Sequence, residues 1–260
     1  MEINELKQRY EALKAENPKL RIRDAAQQLG VSEAELVNAG DSSIRLKEDF
    51  ESILKDVPSL GYVMALTRNE SCVHERKGPY TKVSFTNHVG LVLGEDIDLR
   101  LFMMHWKFGF AVSDGRMKSL QFFAGDGEAL HKIYLQESSD AAAYDALVEK
   151  YTEEKLPLEI TASPVKEAEV ADSEVDVEGF RTGWINLQDT HEFFGLTRKY
   201  KLTRTQALRL APEGYAYPVP FEQVKDVFNK VSETGLEIMI FVGNRGCIQI
   251  HTGEVRQLVP

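Results

Sequence analysis

The alternation of apolar and polar positions divides the chain into stretches of helical period and stretches of strand period. Residues 3–15 place Leu6, Tyr10 and Leu13 on one helical face and stop at Asn17-Pro18. RIRDAAQQLGVSEAELVNAG follows and predicts two short helices meeting at Gly30, the second capped by Ser32 with Glu35 three residues on. Phe50–Val57 predicts another helix, ended at Pro58. From there the period changes to two. GYVMALTRN, CVHERKG, YTKVSF, HVGLVLG, IDLRLFMMHWKFGFAV, SLQFFAGDG and ALHKIYL alternate or run apolar between turn signals, which predicts an antiparallel meander. GDGE at Gly125–Glu128 reads as a hairpin turn. SDAAAYDALVEKY returns to helical spacing, with Ser138 or Ser139 as cap and Ala143, Leu147 and Val148 inside. Helices, sheet and helix make an α+β unit over residues 1–160.

Residues 161–178, TASPVKEAEVADSEVDVE, lack aromatics and are dense in acid, so they read as a flexible linker. The second unit, 179–260, repeats the first. MIFVGNRGCIQIHTG (239–253) aligns without a gap on MALTRNESCVHERKG (64–78), and both cysteines of the chain, Cys72 and Cys247, fall on one repeat position. RIRDAAQQL and LTRTQALRL occupy comparable places upstream. The expected fold is therefore α+β, a duplicated unit of large antiparallel sheet plus helices. At this register Pro260 corresponds to Phe85, so the second repeat is incomplete. A sheet that stops there exposes an unpaired edge, and a truncated form, or an edge covered by another chain, is expected.

Composition narrows the function. A net charge of −10 argues against general nucleic-acid binding and against docking on anionic lipid. The helix after Ser32 has the position of the second helix in a helix-turn-helix, but it carries Glu33 and Glu35 and no Lys or Arg to meet phosphates or guanine. No apolar run approaches the roughly 18 residues of a membrane span. The charged, amphipathic N-terminus is not that of a signal peptide. Two distant cysteines fit a reducing cytoplasm and exclude a CxxCH haem attachment and a cysteine-based zinc site. There is no HExxH, GxSxG, P-loop or GxGxxG.

The stretch richest in chemistry is Asp189–Arg204, DTHEFFGLTRKYKLTR. Asp189 is placed to cap a helix, with Glu192 three residues on as in a capping box. His191 then lies near the positive end of the helix dipole, which favours the neutral, metal-binding imidazole. The same residues also fit a surface histidine beside a hydrophobic face. A basic run follows: Arg198, Lys199, Lys201 and Arg204.

RDAAQQLGVSEAEL, DLRLF, SLQFFAGDGEALHKIYL, HEFF with LTR after it, and IMIFVGNRGCIQIHTG, in this order along essentially the whole chain, resemble the bacterial HemS/ChuS/HmuS group of hemin-degrading or haem-trafficking proteins of the cytoplasm. The resemblance implies two structural repeats and a haem held between a helix of the second half and the sheet of the first. It implies an axial histidine at His191 and an arginine facing the iron's other side at Arg100. The strand pattern of IDLRLFMMHW agrees, for it puts Leu99, Leu101 and Met103 on one face and Arg100, Phe102 and Met104 on the other. Arg100 would gain a partner at the haem, Phe102 and Met104 would be apolar wall, and a solvated surface arginine is the alternative. A single axial histidine leaves the sixth iron position free. Phe193 and Phe194 would contact the porphyrin or serve the core. Arg204 matches a basic family position suited to a propionate, with Arg198 and Lys199 nearby. Further propionate and wall contacts come, in the family, from the later part of the second repeat.

His74 and His88 have family counterparts and are secondary or transfer-site candidates, whereas His105 and His131 read as structural and His251 as a repeat-position residue near the chain end. The resemblance leaves two fates for the haem: oxidative degradation with iron release, dependent on reductant and oxygen, or transfer by a chaperone to a haem oxygenase. Partners implied are haem, the inner-membrane haem importer or a haem oxygenase, and a second copy through an open sheet edge. The competing class is a regulatory or scaffold protein using the helix-turn-helix-like start.

Overall fold

The structure is a computed structural model and describes residues 2–115, 117–164, 168–189 and 192–259. In chain order its elements are α1 (Ile3–Glu16), α2 (Ile22–Leu29), α3 (Glu33–Ala39), β1 (Ser43–Leu46), α4 (Phe50–Asp56), β2 (Tyr62–Arg68), β3 (Val73–Pro79), β4 (Ser84–Thr86), β5 (Val89–Leu93), β6 (Asp98–Phe102), β7 (Phe108–Ser113), β8 (Lys118–Phe123), β9 (Ala129–Leu135), α5 (Ala141–Tyr151), α6 (Val177–Ile185), α7 (Glu192–Lys199), α8 (Arg204–Arg209), α9 (Phe221–Thr234), β10 (Glu237–Gly243) and β11 (Cys247–Glu254). They form two compact units, Met1–Ser163 with Glu237–Gly253, and Pro164–Leu236 with Glu254–Pro260. The hairpin β10–β11 belongs in sequence to the second repeat and in space to the first unit.

In the first unit the expected single meander is two antiparallel sheets, ordered β1-β7-β8-β9-β2-β3 and β10-β11-β6-β5-β4. The switch occurs inside IDLRLFMMHWKFGFAV, which is not one strand. β6 ends at Phe102, and Met103–His105 turn as a 3₁₀ helix before β7 begins in the other sheet. Met103 is drawn inward by its N–H bond to the His88 carbonyl (2.9 Å), while Met104 is left 66 % exposed, so the expected alternation stops two residues early. Trp106 fixes the corner, its indole N–H bonded to the Gly246 carbonyl at 2.9 Å. The main core combines Leu99 and Leu101 of β6, Val63 and Ala65 of β2, Leu120 and Phe122 of β8, and the inner faces of α4 and α5. Asp140, not Ser138 or Ser139, caps α5 by accepting from the Ala143 N–H (2.9 Å), because the Ser139 hydroxyl is engaged with Gln136 and Tyr62.

The capping box at Ser32 is present: the Glu35 N–H donates to the Ser32 hydroxyl at 3.2 Å, and the Ser32 N–H to the Glu35 carboxylate at 2.7 Å. Gly30 ends α2 at φ 69°, a conformation suited to glycine. The helix thus started is buried along most of its length, from Glu33 to Ala39. Glu33 is held by Lys132 (2.6 Å) and Arg68, and those two cations overcome the effect of burial and keep its carboxyl below the usual range. A helix spent on packing and on a buried ion triad has no free face for a DNA groove.

The duplication is visible atom by atom at the two hairpin turns. The Asn69 N–H bonds the Cys72 carbonyl at 3.0 Å, and the Asn244 N–H bonds the Cys247 carbonyl at 2.9 Å. Each asparagine side chain then reaches the other repeat: the Asn69 amide donates to the Gly243 carbonyl and the Asn244 amide to the Arg68 carbonyl, both at 3.0 Å. Gly243 and Arg68 are themselves equivalent positions, so the contact is reciprocal. The two cysteines differ in fate, Cys72 being exposed and Cys247 buried. Cys247 joins Thr67, Tyr80 and His131 in a polar cluster inside the core, with Thr67 Oγ1 at 2.9 Å from His131 Nδ1 and the Tyr80 hydroxyl at 2.6 Å from Nε2.

The second unit has its own core of Phe180, Leu196, Leu202, Ala207 and Leu210, against which Trp184 and Phe193 pack. Within the stretch read from composition as a linker, Glu169 and Asp172 pair with Arg209 (both 3.0 Å), and the Gln206 amide donates to the Val170 carbonyl at 2.6 Å. Acids too polar to build a core have found basic and amide partners on α8.

Candidate functional site

The site-forming feature of the first unit is the outer face of the five-stranded sheet. Residues directly opposite in an antiparallel ladder share a face. Arg100 lies opposite Leu91 on β5 and Ile248 on β11, Asp98 opposite Leu93 and Ile250, and Phe102 opposite Val89. Leu99 and Leu101, between them, are fully buried on the inner side. Asp98, Arg100 and Phe102 are half-buried on the outer side, as the alternation required. The face continues onto β10: by the repeat, Phe241 stands where Leu66 stands opposite Glu75, the equivalent of Ile250, and Phe241 is 58 % exposed.

Among the described residues this face is apolar beside β6 and carries the Arg100–Asp98 ion pair, and on β4 Ser84 and Thr86, opposite Leu91 and Val89, add two exposed hydroxyls at its margin. Arg100 Nη1 donates to the Asp98 carboxylate and to the Leu99 carbonyl at 3.2 Å. Among the described residues these are its hydrogen-bond partners, and the remaining guanidinium edge, Nη2 and Nε, is available to a ligand.

The second unit carries the other predicted residues. His191 and Thr190 lie outside the described residues. Around them, the Glu192 N–H donates to the Asp189 carbonyl at 3.1 Å, and the Glu192 carboxylate accepts from the Gln188 N–H at 3.0 Å. The two phenylalanines divide their roles. Phe193 stacks edge-on against Trp184, with ring centroids 4.6 Å apart, while Phe194 is 68 % exposed with Arg198 over its ring at 5.8 Å. Arg198, Lys199 and Arg204 are exposed, and Arg204 opens α8 just after the Thr203 cap.

Of the remaining histidines, His88 is exposed in the β4–β5 turn at φ 64°. His74 is half-buried on β3 beside His251, with ring centroids 6.4 Å apart, and burial lowers the pKa of both. His105 is exposed in the 3₁₀ turn, so it is not a sheet residue. His131 is structural, as expected. Among the described residues no group of three or more His, Cys, Asp or Glu is arranged to hold a metal ion, and no helix is long and apolar enough to cross a membrane.

The alternation places Arg100 and Phe102 on one face of β6, as expected, but does not give Leu91, Leu93, Ile248, Ile250 or Asp98 as their neighbours. The signal was present only in part. HVGLVLG is apolar at nearly every position, so alternation does not say which side faces outward, and the pairing of β11 with β6 is a long-range contact that no local pattern contains.

Fold and face together define a duplicated sheet-and-helix protein with a half-buried ion pair, Arg100 and Asp98, among aliphatic side chains on one sheet face. Residues 30–151 and 201–260 match the family described as the haemin-degrading HemS.ChuX domain. The chain is 37 % identical over 260 residues to the hemin transport protein HemS of Yersinia enterocolitica, covering 97 % of this chain and 75 % of that protein. Its structure superimposes on holo-PhuS, a heme-binding protein from Pseudomonas aeruginosa, with a TM-score of 0.95 and 42 % identity, covering 100 % of this chain and 78 % of that one. It superimposes on the heme degrading enzyme ChuS of Escherichia coli O157:H7 with a TM-score of 0.90 and 34 % identity, again over 100 % and 78 %. The chain belongs to the HemS/ChuX family.

Proposed function

We propose that this protein binds haem in the cytoplasm as part of bacterial haem utilisation, and holds it for oxidative degradation with iron release or for transfer. The observation that carries the reading is the outer face of the five-stranded sheet, an apolar surface with Arg100 at its middle, in a chain whose relatives include heme-binding and heme-degrading proteins.

In this reading His191, in its neutral form, would ligate the haem iron. Arg100 would offer its free guanidinium edge to the bound ligand. Phe102, Leu91 and Ile248 exclude water from the ring, and Arg198 and Arg204 are the cations for the propionates. Bound haem supplies the iron and the conjugated ring on which oxidative opening takes place, and this chain's residues bind, orient and shield it. His74 and His88 remain secondary candidates for haem in transit. A second copy meeting an open sheet edge, an inner-membrane importer or a haem oxygenase would be the protein partners in this reading.

A hemin titration followed in the Soret region on wild type and His191→Ala tests the reading. A saturable one-to-one complex that the variant loses is expected. Equal binding by both would remove His191 as ligand, and no binding by the wild type would overturn the reading. Degradation is separated from transfer by adding an electron donor to the complex: loss of the Soret band that persists with catalase present is enzymatic cleavage, whereas loss abolished by catalase is peroxide damage.

A further inference from the structure

We infer that Asp98 is the positioning residue of Arg100: it holds one edge of the guanidinium, aims the other at the bound ligand, and cancels its charge. The inference rests on the haem-binding reading above. Asp98 and Arg100 are two residues apart on β6 and so project from the same face of the sheet. The carboxylate of Asp98 and the Leu99 carbonyl both engage Nη1, which folds the side chain back along its own strand. Both side chains are about one-third exposed, at 34 % and 30 %, and they stand between Leu91 and Leu93 on one flank and Ile248 and Ile250 on the other.

Three consequences follow from that placement. First, the flanking strands supply no polar group at the four opposing positions, so Asp98 is the side chain that sets where the guanidinium rests. Second, apolar flanks lower the local dielectric and strengthen the pair relative to one in open water. Third, a lone cation in the face would favour an anionic ligand on bound haem, whereas a neutralised one discriminates little by charge. Asp98 would therefore tune which small ligands bound haem accepts, without touching them.

The test uses Asp98→Asn, which keeps shape and removes charge, and Asp98→Glu, which keeps charge. In the ligand-free protein, ¹⁵N spectroscopy of the Arg100 guanidinium is expected to show hindered rotation about Nε–Cζ in wild type and Asp98→Glu and free rotation in Asp98→Asn. Equal rotation in all three would overturn the inference, whether or not the protein binds hemin. In the ferric hemin complex, azide is expected to bind about tenfold more tightly to Asp98→Asn than to wild type, the effect of one charge no longer cancelled nearby. Imidazole, being neutral, is expected to bind both alike. Equal azide affinity would contradict the charge-cancelling role. A tightening of both probes would mean that the substitution merely opened the face, and would also contradict it. Failure of hemin to bind any form would defeat the haem reading and leave the guanidinium measurement to judge Asp98 by itself.

Discussion

His131 shows how much one side chain can carry in this fold. Both its ring nitrogens are taken, by Thr67 and Tyr80, and burial drives its pKa down from 6.5 to about 3. Its folded pKa lies below its unfolded value, so its contribution to stability is complete above about pH 6.5 and is lost progressively as the pH falls toward 3. His131 alone should make urea unfolding at pH 7.5 and pH 5 differ by about 2 kcal/mol, at 1.4 kcal/mol per pH unit below 6.5. His131→Leu should show a shallower slope, the rest coming from His74 and His251, whose pKa values burial also lowers. An unchanged slope would contradict the assignment. Glu33 makes a second residue-scale prediction. Glu33→Gln leaves Lys132 buried without its anion and should cost about 3 kcal/mol in the same assay. Glu33 was legible from sequence only as a reason why α3 is not a DNA reader. That its charge is consumed by Lys132 and Arg68 depends on residues 99 and 35 positions away.

At the scale of elements, the hairpins β2–β3 and β10–β11 tie the two repeats together. Asn244 accepts from the Gly246 and Cys247 N–H groups and donates to the Arg68 and Leu130 carbonyls, whereas Asn69 accepts from the Ser71 and Cys72 N–H groups and donates to the Gly243 carbonyl. Substitution by alanine should destabilise at both positions, by about 1 kcal/mol for each bond lost beyond what water replaces, and more at Asn244 than at Asn69. Thermal unfolding of the two variants checks the order, and the reverse order would contradict the reciprocal docking. The duplication itself was readable, because the gapless match of the two segments sets Asn244 on Asn69 and Cys247 on Cys72. What the pattern could not contain is that the second hairpin joins a sheet of the first unit. Strand pairing is decided by partners, and β11 meets β6 across a separation of about 150 residues along the chain (Cys247 against Leu101). The break after Phe102 was hidden for a related reason. Met103 and Met104 continue an apolar run, and only the tertiary bond from the Met103 N–H to His88 turns the chain out of the strand.

In the whole molecule, two pieces of chemistry lie on different units: the basic and aromatic residues of α7 on one, and the sheet face around the Arg100–Asp98 pair on the other. That Arg100 and Phe102 share a face was readable because β6 alternates cleanly, and the expectation for His191 came from the helix-start pattern at Asp189 and from the family resemblance. The aliphatic floor around Arg100 emerges only when β5 and β11 are laid beside β6. Haem binding as proposed depends on that floor, and the floor can be tested apart from the iron ligand. The measurement is the hemin affinity of Ile248→Asp, with thermal unfolding as the control for folding. A carboxylate at the centre of the face, opposite Arg100, should weaken hemin binding by about 10- to 100-fold, about 1.4–2.8 kcal/mol, while the protein stays folded. Undiminished hemin affinity in a folded Ile248→Asp protein would show that haem does not lie on this face.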